Sequence, residues 1–193
     1  MNIKHDKAKV VSTGVGLFRK KGYSNLGVAE ICKTTGMAKG AFYNAFESKE
    51  NYLLSCMKSY ASMNTNYLIS LLESNKGSAI EGITNMYVTM INNQPKDDFM
   101  GCLTNNMMSE IGTLNETICN ATNEAFESLL KVIEPAVKQA QSEGDIASTL
   151  NSSETTELLH SSFFGIITRA KSTKDCKKAI ASITLLIKSL KTT

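Results

Sequence analysis

The chain has 193 residues, of which 42% are hydrophobic and 20% are charged. This length suits one domain or a small head on a larger body, and the composition is too apolar for a disordered chain. No run approaches the ~18 apolar residues that a membrane span needs, and the polar start is unlike a signal peptide, so we expect a cytoplasmic protein.

Charge is distributed unevenly between the start of the chain and the rest. Residues 1–58 contain ten Lys or Arg against four acidic residues, a net charge of +6, which leaves −3 for the remainder because the whole chain carries +3. A basic head on a mildly acidic body indicates that the head meets a polyanion. A solvated basic surface is the alternative interpretation of the charge alone.

Helical spacing recurs along the chain and strand signals are almost absent, so the predicted class is all-α with about nine helices. In the first predicted helix Val10, Gly14 and Phe18 share a face, and the helix ends at Gly22 after three basic residues. Short helices follow over Val28–Thr34 and Lys39–Phe46.

The second part of the chain is predicted to contain longer helices. Ser48 has the residue type and position of an N-cap for a helix that runs toward Leu72. The remaining predicted helices lie near Ala79–Ile91, Gly101–Ile111, Glu116–Ser142, Ser153–Lys171 and Asp175–Leu190. Pro135 is expected to kink or break the helix that contains it, because proline lacks the N–H that the helix needs.

The two short helices have the layout of a helix-turn-helix. A small residue, Cys32, lies where the two helices must approach, and Gly36 lies where the turn needs a left-handed backbone. Apolar residues spaced to fill the wedge between the helices are Ile31, Met37 and Phe42. Such a unit places the start of its second helix in the DNA major groove, although similar spacing also occurs in plain helical hairpins.

A wider stretch resembles the DNA-binding head of the TetR (tetracycline-repressor) family. The resemblance rests on LFRKKGY at 17–23, the helix-turn-helix, and KGAFYNAFESKENYLL at 39–54, with AVKQAQSEGDIA at 136–147 similar to the end of the family's seventh helix. It implies a homodimeric repressor with a three-helix DNA-binding domain at 1–48 and an effector-binding and dimerisation domain at 49–193. Binding of a small-molecule effector would release a pseudo-palindromic operator.

Candidate DNA contacts lie at and after the start of the second short helix. Lys39 begins that helix, where its ammonium reaches a phosphate or a guanine edge, and Gly40 lets the backbone approach DNA. The resemblance implies phosphate contacts for Tyr43 and Lys49, and Asn44 is a candidate for a base or phosphate contact. Two departures from the family pattern, Gly27 and Ala41, remove hydroxyl groups that often cap the helix or touch DNA.

The middle of the body is rich in methionine, which fills irregular apolar space and tolerates varied ligands. A small-molecule pocket is therefore predicted there, with ordinary core as the alternative. Its candidate lining residues are Met86, Tyr87, Met90, Met107, Met108 and Phe126.

The last two helices carry apolar stripes at helical spacing. The resemblance implies that they form a four-helix interface between two copies, and the alternative is again ordinary core. The candidate interface residues are Leu159, Phe163, Ile166, Ile180, Ile183 and Ile187.

The five cysteines at 32, 56, 102, 119 and 176 are odd in number and include no C-x-x-C pair, so free thiols are expected, with no disulfide framework, metal or cofactor. Cys102 is predicted in the first turn of a helix, where the positive helix end favours thiolate. Its Gly-Cys-Leu setting is similar to a branch of the family that answers electrophiles and oxidants, and Lys171 or Arg169 would then stabilise the thiolate.

A buried, inert thiol is the alternative for Cys102, and the other four cysteines are expected at apolar or packed positions. Neither histidine has the neighbours of a catalytic triad, so no enzyme activity is expected. Three functions follow: an effector-responsive repressor, a thiol-based sensor that uses Cys102, and a helical protein that does not bind DNA.

Overall fold

The computed structural model describes residues 6–191, which contain nine α-helices and no strand. The all-α prediction is therefore confirmed. In chain order the helices are α1 (Lys7–Lys21), α2 (Val28–Thr35), α3 (Lys39–Phe46), α4 (Lys49–Glu73), α5 (Ala79–Asn92), α6 (Leu103–Ile111), α7 (Glu116–Ser142), α8 (Ser152–Thr173) and α9 (Cys176–Ser189).

Local signals explain where the first helices begin and end. The Asp6 carboxylate accepts hydrogen bonds from the N–H groups of Ala8 and Lys9, which caps α1. Gly22 ends α1 with a φ of 77°, a conformation that side chains rarely adopt. The Ser48 hydroxyl accepts from the Asn51 N–H and caps α4 as the sequence predicts.

The chain forms two compact units, the first of which runs to Met63 and also contains Cys102–Phe126. Its core is aromatic: the ring of Tyr52 on α4 lies 5.8 Å from Phe18 of α1 and 5.3 and 4.7 Å from Phe42 and Phe46 of α3, measured between centroids. All four rings are buried. The unit thus joins the helix-turn-helix to the first half of α4, to α6 and to the start of α7.

The second unit comprises Asn64–Gly101 and the chain from Glu127 onward. Here α9 packs against both α5 and α8. Tyr87 of α5 lies with its ring 5.0 Å from Phe163 and 6.1 Å from His160 of α8, and all three side chains are buried. The functional division after residue 48 stays a prediction, since packing groups more of the chain with the head.

The structure excludes a break at Pro135, adds a 3-10 turn that the sequence does not predict, and moves the start of α6. Pro135 lies inside α7, which continues through it without a break. The loop after α5 contains a 3-10 turn at Gln94–Asp97. Helix α6 begins at Leu103 and not at Gly101, because Cys102 has an extended backbone and serves as the N-cap. None of the helices described between residues 6 and 191 is long and apolar enough to cross a membrane.

Candidate nucleic-acid interface

The turn between α2 and α3 has the geometry that a helix-turn-helix requires. Gly36 ends α2 in the left-handed region, with φ 71° and ψ 11°. Ile31 and Phe42 are fully buried, and Cys32 and Met37 are nearly so, as the predicted apolar wedge between the helices requires. The backbone turn and the apolar wedge together fix the direction in which α3 leaves the turn.

Helix α3 has one buried and one exposed side. Phe42 and Phe46 face the aromatic core, while Lys39, Gly40, Tyr43 and Asn44 are exposed. Residues three and four positions apart are neighbours on a helix surface, so Tyr43 adjoins both Lys39 and Gly40, and Gly40 adjoins Asn44; the four form a continuous edge. We call these four residues the α3 edge. It presents a cation, a close-approach glycine, a hydroxyl and an amide, which are the groups that bind phosphates and base edges.

Lys49 lies at the start of α4 and is partly buried beside Tyr23. Its ammonium donates a hydrogen bond to the Tyr23 carbonyl oxygen at 2.9 Å and lies 3.9 Å from the centroid of the Tyr23 ring. A cation held in this way has fewer conformations to lose when it meets a phosphate. The phosphate contact itself stays a prediction.

Gly27 is the N-cap of α2 and supplies no side-chain hydrogen bond, as the sequence indicates. Ala41 is half-buried on α3 and presents only a methyl group. Both positions therefore offer no hydroxyl group for a helix cap or for a ligand.

The predicted dimer stripes are largely core. Leu159, Phe163, Ile183 and Ile187 are at most 3% exposed within the protomer, so they have no surface to give to a second copy and that part of the prediction is wrong. The reason is that α8 and α9 bury these stripes inside the second unit. Ile166 and Ile180 are half-buried and remain candidates for the interface.

The exposed apolar residues of α8 and α9 lie elsewhere on the same helices. Leu158 is 48% exposed and Leu185 is 70% exposed. Between the two helices runs a groove of 280 Å³, whose lining includes Ser162, Gly165 and Ile166 of α8 and Ser182 of α9. Helical periodicity alone does not identify these exposed leucines or the groove beside them.

The six predicted pocket residues fall in two different units. Met86 and Tyr87 are buried and Met90 is half-buried in the second unit. In the first unit Met107 and Phe126 are buried and Met108 is half-buried. The apolar character of these positions agrees with the sequence, and their role in binding an effector stays a prediction.

The predicted thiol site has a different local geometry from the expected one. Cys102 is the N-cap of α6 and not part of its first turn, and its buried thiol makes no capping hydrogen bond. Lys171 and Arg169 are exposed near the end of α8, in the second unit, whereas Cys102 belongs to the first. The thiol-sensor alternative stays a prediction.

The other cysteines are mostly poor nucleophiles. Burial raises the pKa of the Cys56 thiol to about 12, and burial also raises the pKa of Cys32, although nearby Lys39 offsets part of that change. Cys176 has a raised pKa for the same reason, with a further contribution from Asp175. Cys119 is exposed, so the expectation of a packed position was wrong: it lies on the solvent side of α7 next to buried Ile118.

Glu110 is a polar residue of the first unit that the sequence does not single out. Its carboxylate accepts hydrogen bonds from the backbone N–H groups of Tyr23, at 2.9 Å, and Ser24, at 2.7 Å. Partial burial alone raises the pKa of Glu110, but these hydrogen bonds and the charge of Lys49 outweigh it, and the pKa is lowered. Because the partners are more than 80 positions apart, no local pattern could have revealed the contact.

Comparison with known proteins places this geometry in a family. Residues 10–56 match the model of the bacterial regulatory proteins of the tetR family, and residues 78–184 match that of the tetracyclin repressor-like C-terminal domain. The chain is 25% identical over 181 residues to the HTH-type transcriptional repressor DhaR of Mycobacterium sp. (strain GP1), which covers 94% of this chain and 90% of DhaR.

Solved structures share the fold. The HTH-type transcriptional repressor NemR of Escherichia coli (strain K12) is 25% identical over 139 residues, 71% of this chain and 70% of NemR. Its reduced form superposes with a TM-score of 0.84 at 22% identity, over 96% of this chain and 97% of NemR. A cysteine mutant of the TetR family regulator CifR, complexed with 26-base-pair operator DNA, gives 0.85 at 17% identity over 98% and 99% of the two chains. The chain therefore belongs to the TetR family of DNA-binding transcriptional regulators.

Proposed function

We propose that two copies of this regulator bind a pseudo-palindromic operator through their α3 edges and repress transcription until an effector binds the second unit. The observation that carries this proposal is the exposure of Lys39, Gly40, Tyr43 and Asn44 on one side of α3, while the other side is anchored in the aromatic core. A rigid helix with one exposed polar edge enters a major groove without reorganising. Two-fold symmetry of the protein then requires two-fold symmetry of the DNA site.

Truncating the α3 edge is expected to weaken operator binding while the dimer stays intact. Lys39→Ala is expected to lower the affinity about tenfold and Tyr43→Phe about threefold, because each removes one DNA contact per protomer. Because Lys39→Ala removes two cations per dimer, it also reduces the slope of log K against log salt concentration by about two, whereas Tyr43→Phe leaves this slope unchanged. Gel-shift titrations at several salt concentrations measure both quantities. Lys131→Ala, at an exposed lysine of α7 outside the proposed dimer interface, is the control. Unchanged affinity in both α3 variants would remove the assigned contacts.

The dimer interface is proposed on the exposed faces of α8 and α9, around the groove that Gly165 and Ile166 line. Small residues allow close approach of helices, and the flanking leucines supply apolar area. This face is adjacent to, but distinct from, the buried stripes that the sequence indicates.

Leu185→Ala is expected to raise the dissociation constant of the dimer about tenfold, because each copy loses buried apolar area. Sedimentation equilibrium measures this constant. Leu114→Ala is the matched control: Leu114 is 80% exposed but lies in the first unit, and its truncation is expected to leave the dimer unchanged. Equal behaviour of the two variants would place the interface elsewhere.

The effector site is proposed in the second unit, where Met86, Tyr87 and Met90 bring apolar and aromatic groups together on α5. An effector needs a differential affinity of roughly 1–3 kcal/mol between two states to weaken DNA binding about 5–150-fold. The test is to select bound sequences from random duplex DNA and then to screen small molecules and oxidants for release. Release by an electrophile that persists in Cys102→Ser would exclude the thiol-sensor alternative. Failure to select any duplex would favour a helical protein without DNA binding.

A further inference from the structure

The turn between α1 and α2 is fixed by a carboxylate from α6. The Glu110 carboxylate, in the last turn of α6, accepts hydrogen bonds from the consecutive N–H groups of Tyr23 and Ser24. The preceding residue, Gly22, leaves the space that this contact needs: a Cβ on Gly22 would lie 2.5 Å from one carboxylate oxygen of Glu110. The positive φ of Gly22 and the absence of its side chain therefore serve the same contact.

Tyr23 is held from its other side by α4. The Lys49 ammonium bonds the Tyr23 carbonyl oxygen at 2.9 Å and lies over the face of the Tyr23 ring at 3.9 Å. Tyr23 therefore contacts a carboxylate through its N–H and an ammonium group through its carbonyl oxygen and ring. The charge of Lys49 also contributes to the lowered pKa of Glu110, so the two charged groups stabilise each other across Tyr23.

Two further hydrogen bonds fasten the same region. The Asn106 side chain, on α6, donates to the Arg19 carbonyl oxygen in the last turn of α1 at 3.4 Å. The Asn115 side chain, just before α7, donates to the Glu50 carboxylate in the first turn of α4 at 2.7 Å. Helix α6 and the turn after it therefore contact the end of α1 and the start of α4, the two segments that flank the helix-turn-helix.

From this arrangement we infer that Glu110 is a positioning residue for operator binding: it holds Tyr23, and Tyr23 in turn holds the Lys49 ammonium for a DNA phosphate. The inference rests on the proposed function, because it assigns Lys49 to the DNA contact. It extends the binding machinery beyond the helix-turn-helix to a residue of α6 that does not itself touch DNA. A carboxylate in this role strengthens the binding of a polyanion, which is the opposite of its direct electrostatic effect.

The sign of one substitution separates the two effects. Removing a negative charge from a DNA-binding protein ordinarily strengthens its attraction to DNA. Glu110→Gln keeps the shape of the side chain but offers only one acceptor oxygen, so one of the two N–H groups loses its partner. We expect Glu110→Gln to weaken binding to the selected operator about three- to tenfold, the effect of one lost hydrogen bond of ordinary strength. Glu116→Gln, the same charge change on an exposed residue of α7, is expected to leave binding unchanged or slightly tighter.

A double-mutant cycle with Lys49→Ala tests the connection directly. If Glu110 acts through Lys49, Glu110→Gln changes the dissociation constant less than about twofold once Lys49 is absent. Tyr23→Leu removes the ring beneath the ammonium but keeps both backbone hydrogen bonds to Glu110, and it is expected to show the same dependence on Lys49. This second variant tests the connection even if Glu110→Gln fails to fold, which circular dichroism would report.

Additive effects of Glu110→Gln and Lys49→Ala, or an affinity for Glu110→Gln equal to that of Glu116→Gln, would overturn the role of Glu110 and leave the proposed function intact. Additive effects of Tyr23→Leu and Lys49→Ala would overturn it as well. A wild-type protein that selects no duplex would instead overturn the DNA-binding function and this inference with it. The outcomes are distinguishable because every result that overturns only the role of Glu110 requires a measurable operator affinity.

Discussion

Gly14→Ala is expected to lower the free energy of unfolding by roughly 1–2 kcal/mol, although alanine is the better helix former. Gly14 is buried on α1, and a Cβ there would lie 2.5 Å from both the Cys56 sulfur and Cζ of the Tyr52 ring. The Tyr52 hydroxyl donates to the Val10 carbonyl oxygen at 2.7 Å and the Cys56 thiol approaches the Val11 carbonyl oxygen at 3.4 Å. The glycine thus lets α4 approach the backbone of α1, and the buried Tyr52 ring already lies against the rings of Phe18, Phe42 and Phe46.

Gly16 supplies a matched control two residues further along the same helix. A Cβ at Gly16 would meet no atom within 4 Å, so Gly16→Ala is expected to stabilise the protein by about 0.5–1 kcal/mol through helix propensity alone. The two variants should therefore differ by roughly 1.5–3 kcal/mol in urea denaturation followed by circular dichroism. If both variants stabilise the protein equally, α4 does not pack closely against α1 at Gly14 in solution.

Much of the first unit was predictable from the sequence because its determinants are local. The left-handed turn at Gly36, the end of α1 at Gly22 and the cap at Ser48 each depend on a residue type whose backbone or side chain suits only a few conformations. The core positions of α3 follow from the 3.6-residue period. The family resemblance adds the roles of Lys39, Tyr43 and Lys49, which remain predictions.

The packing partners of the helices could not be predicted from the sequence, because periodicity shows that a face is buried without showing what buries it. The family resemblance implies that the stripe containing Ile183 packs against a second copy, but α9 uses it to pack within its own protomer. An apolar stripe on a terminal helix has the same sequence pattern whether it packs within the protomer or against a second copy. The exposed Leu185 lies two residues away, and only the three-dimensional packing tells the two apart. Contacts such as that of Glu110 with Tyr23 depend on tertiary structure and have no local signature.

Acidification is expected to destabilise the protein through His160, beginning near pH 6.5, above the usual pKa values of carboxylates. His160 is fully buried on α8, with its ring centroid 4.9 Å from Phe164 and 5.7 Å from Phe163, and its Nδ1 lies 3.4 Å from the Tyr87 hydroxyl oxygen. Burial lowers the pKa of His160 from 6.5 to about 4, because an imidazolium in this aromatic surrounding loses its hydration. Burial also raises the pKa of Tyr87, so the tyrosine stays neutral and supplies no charge to compensate.

The direction of the pH dependence follows from proton binding in the two states. Between pH 6.5 and about 4 the unfolded chain binds a proton at His160 and the folded chain does not, so stability falls as the pH falls through this window. From pH 7.5 to 4.5 the expected loss from this one group is roughly 2–3 kcal/mol. Urea denaturation at pH 7.5, 6.0 and 4.5 measures it, and His160→Gln is the comparison, since glutamine does not titrate in this range. The variant is expected to be less stable at pH 7.5 but to lose much less on acidification. Equal losses in the two proteins would show that His160 is hydrated, or that it already carries its proton in the folded state.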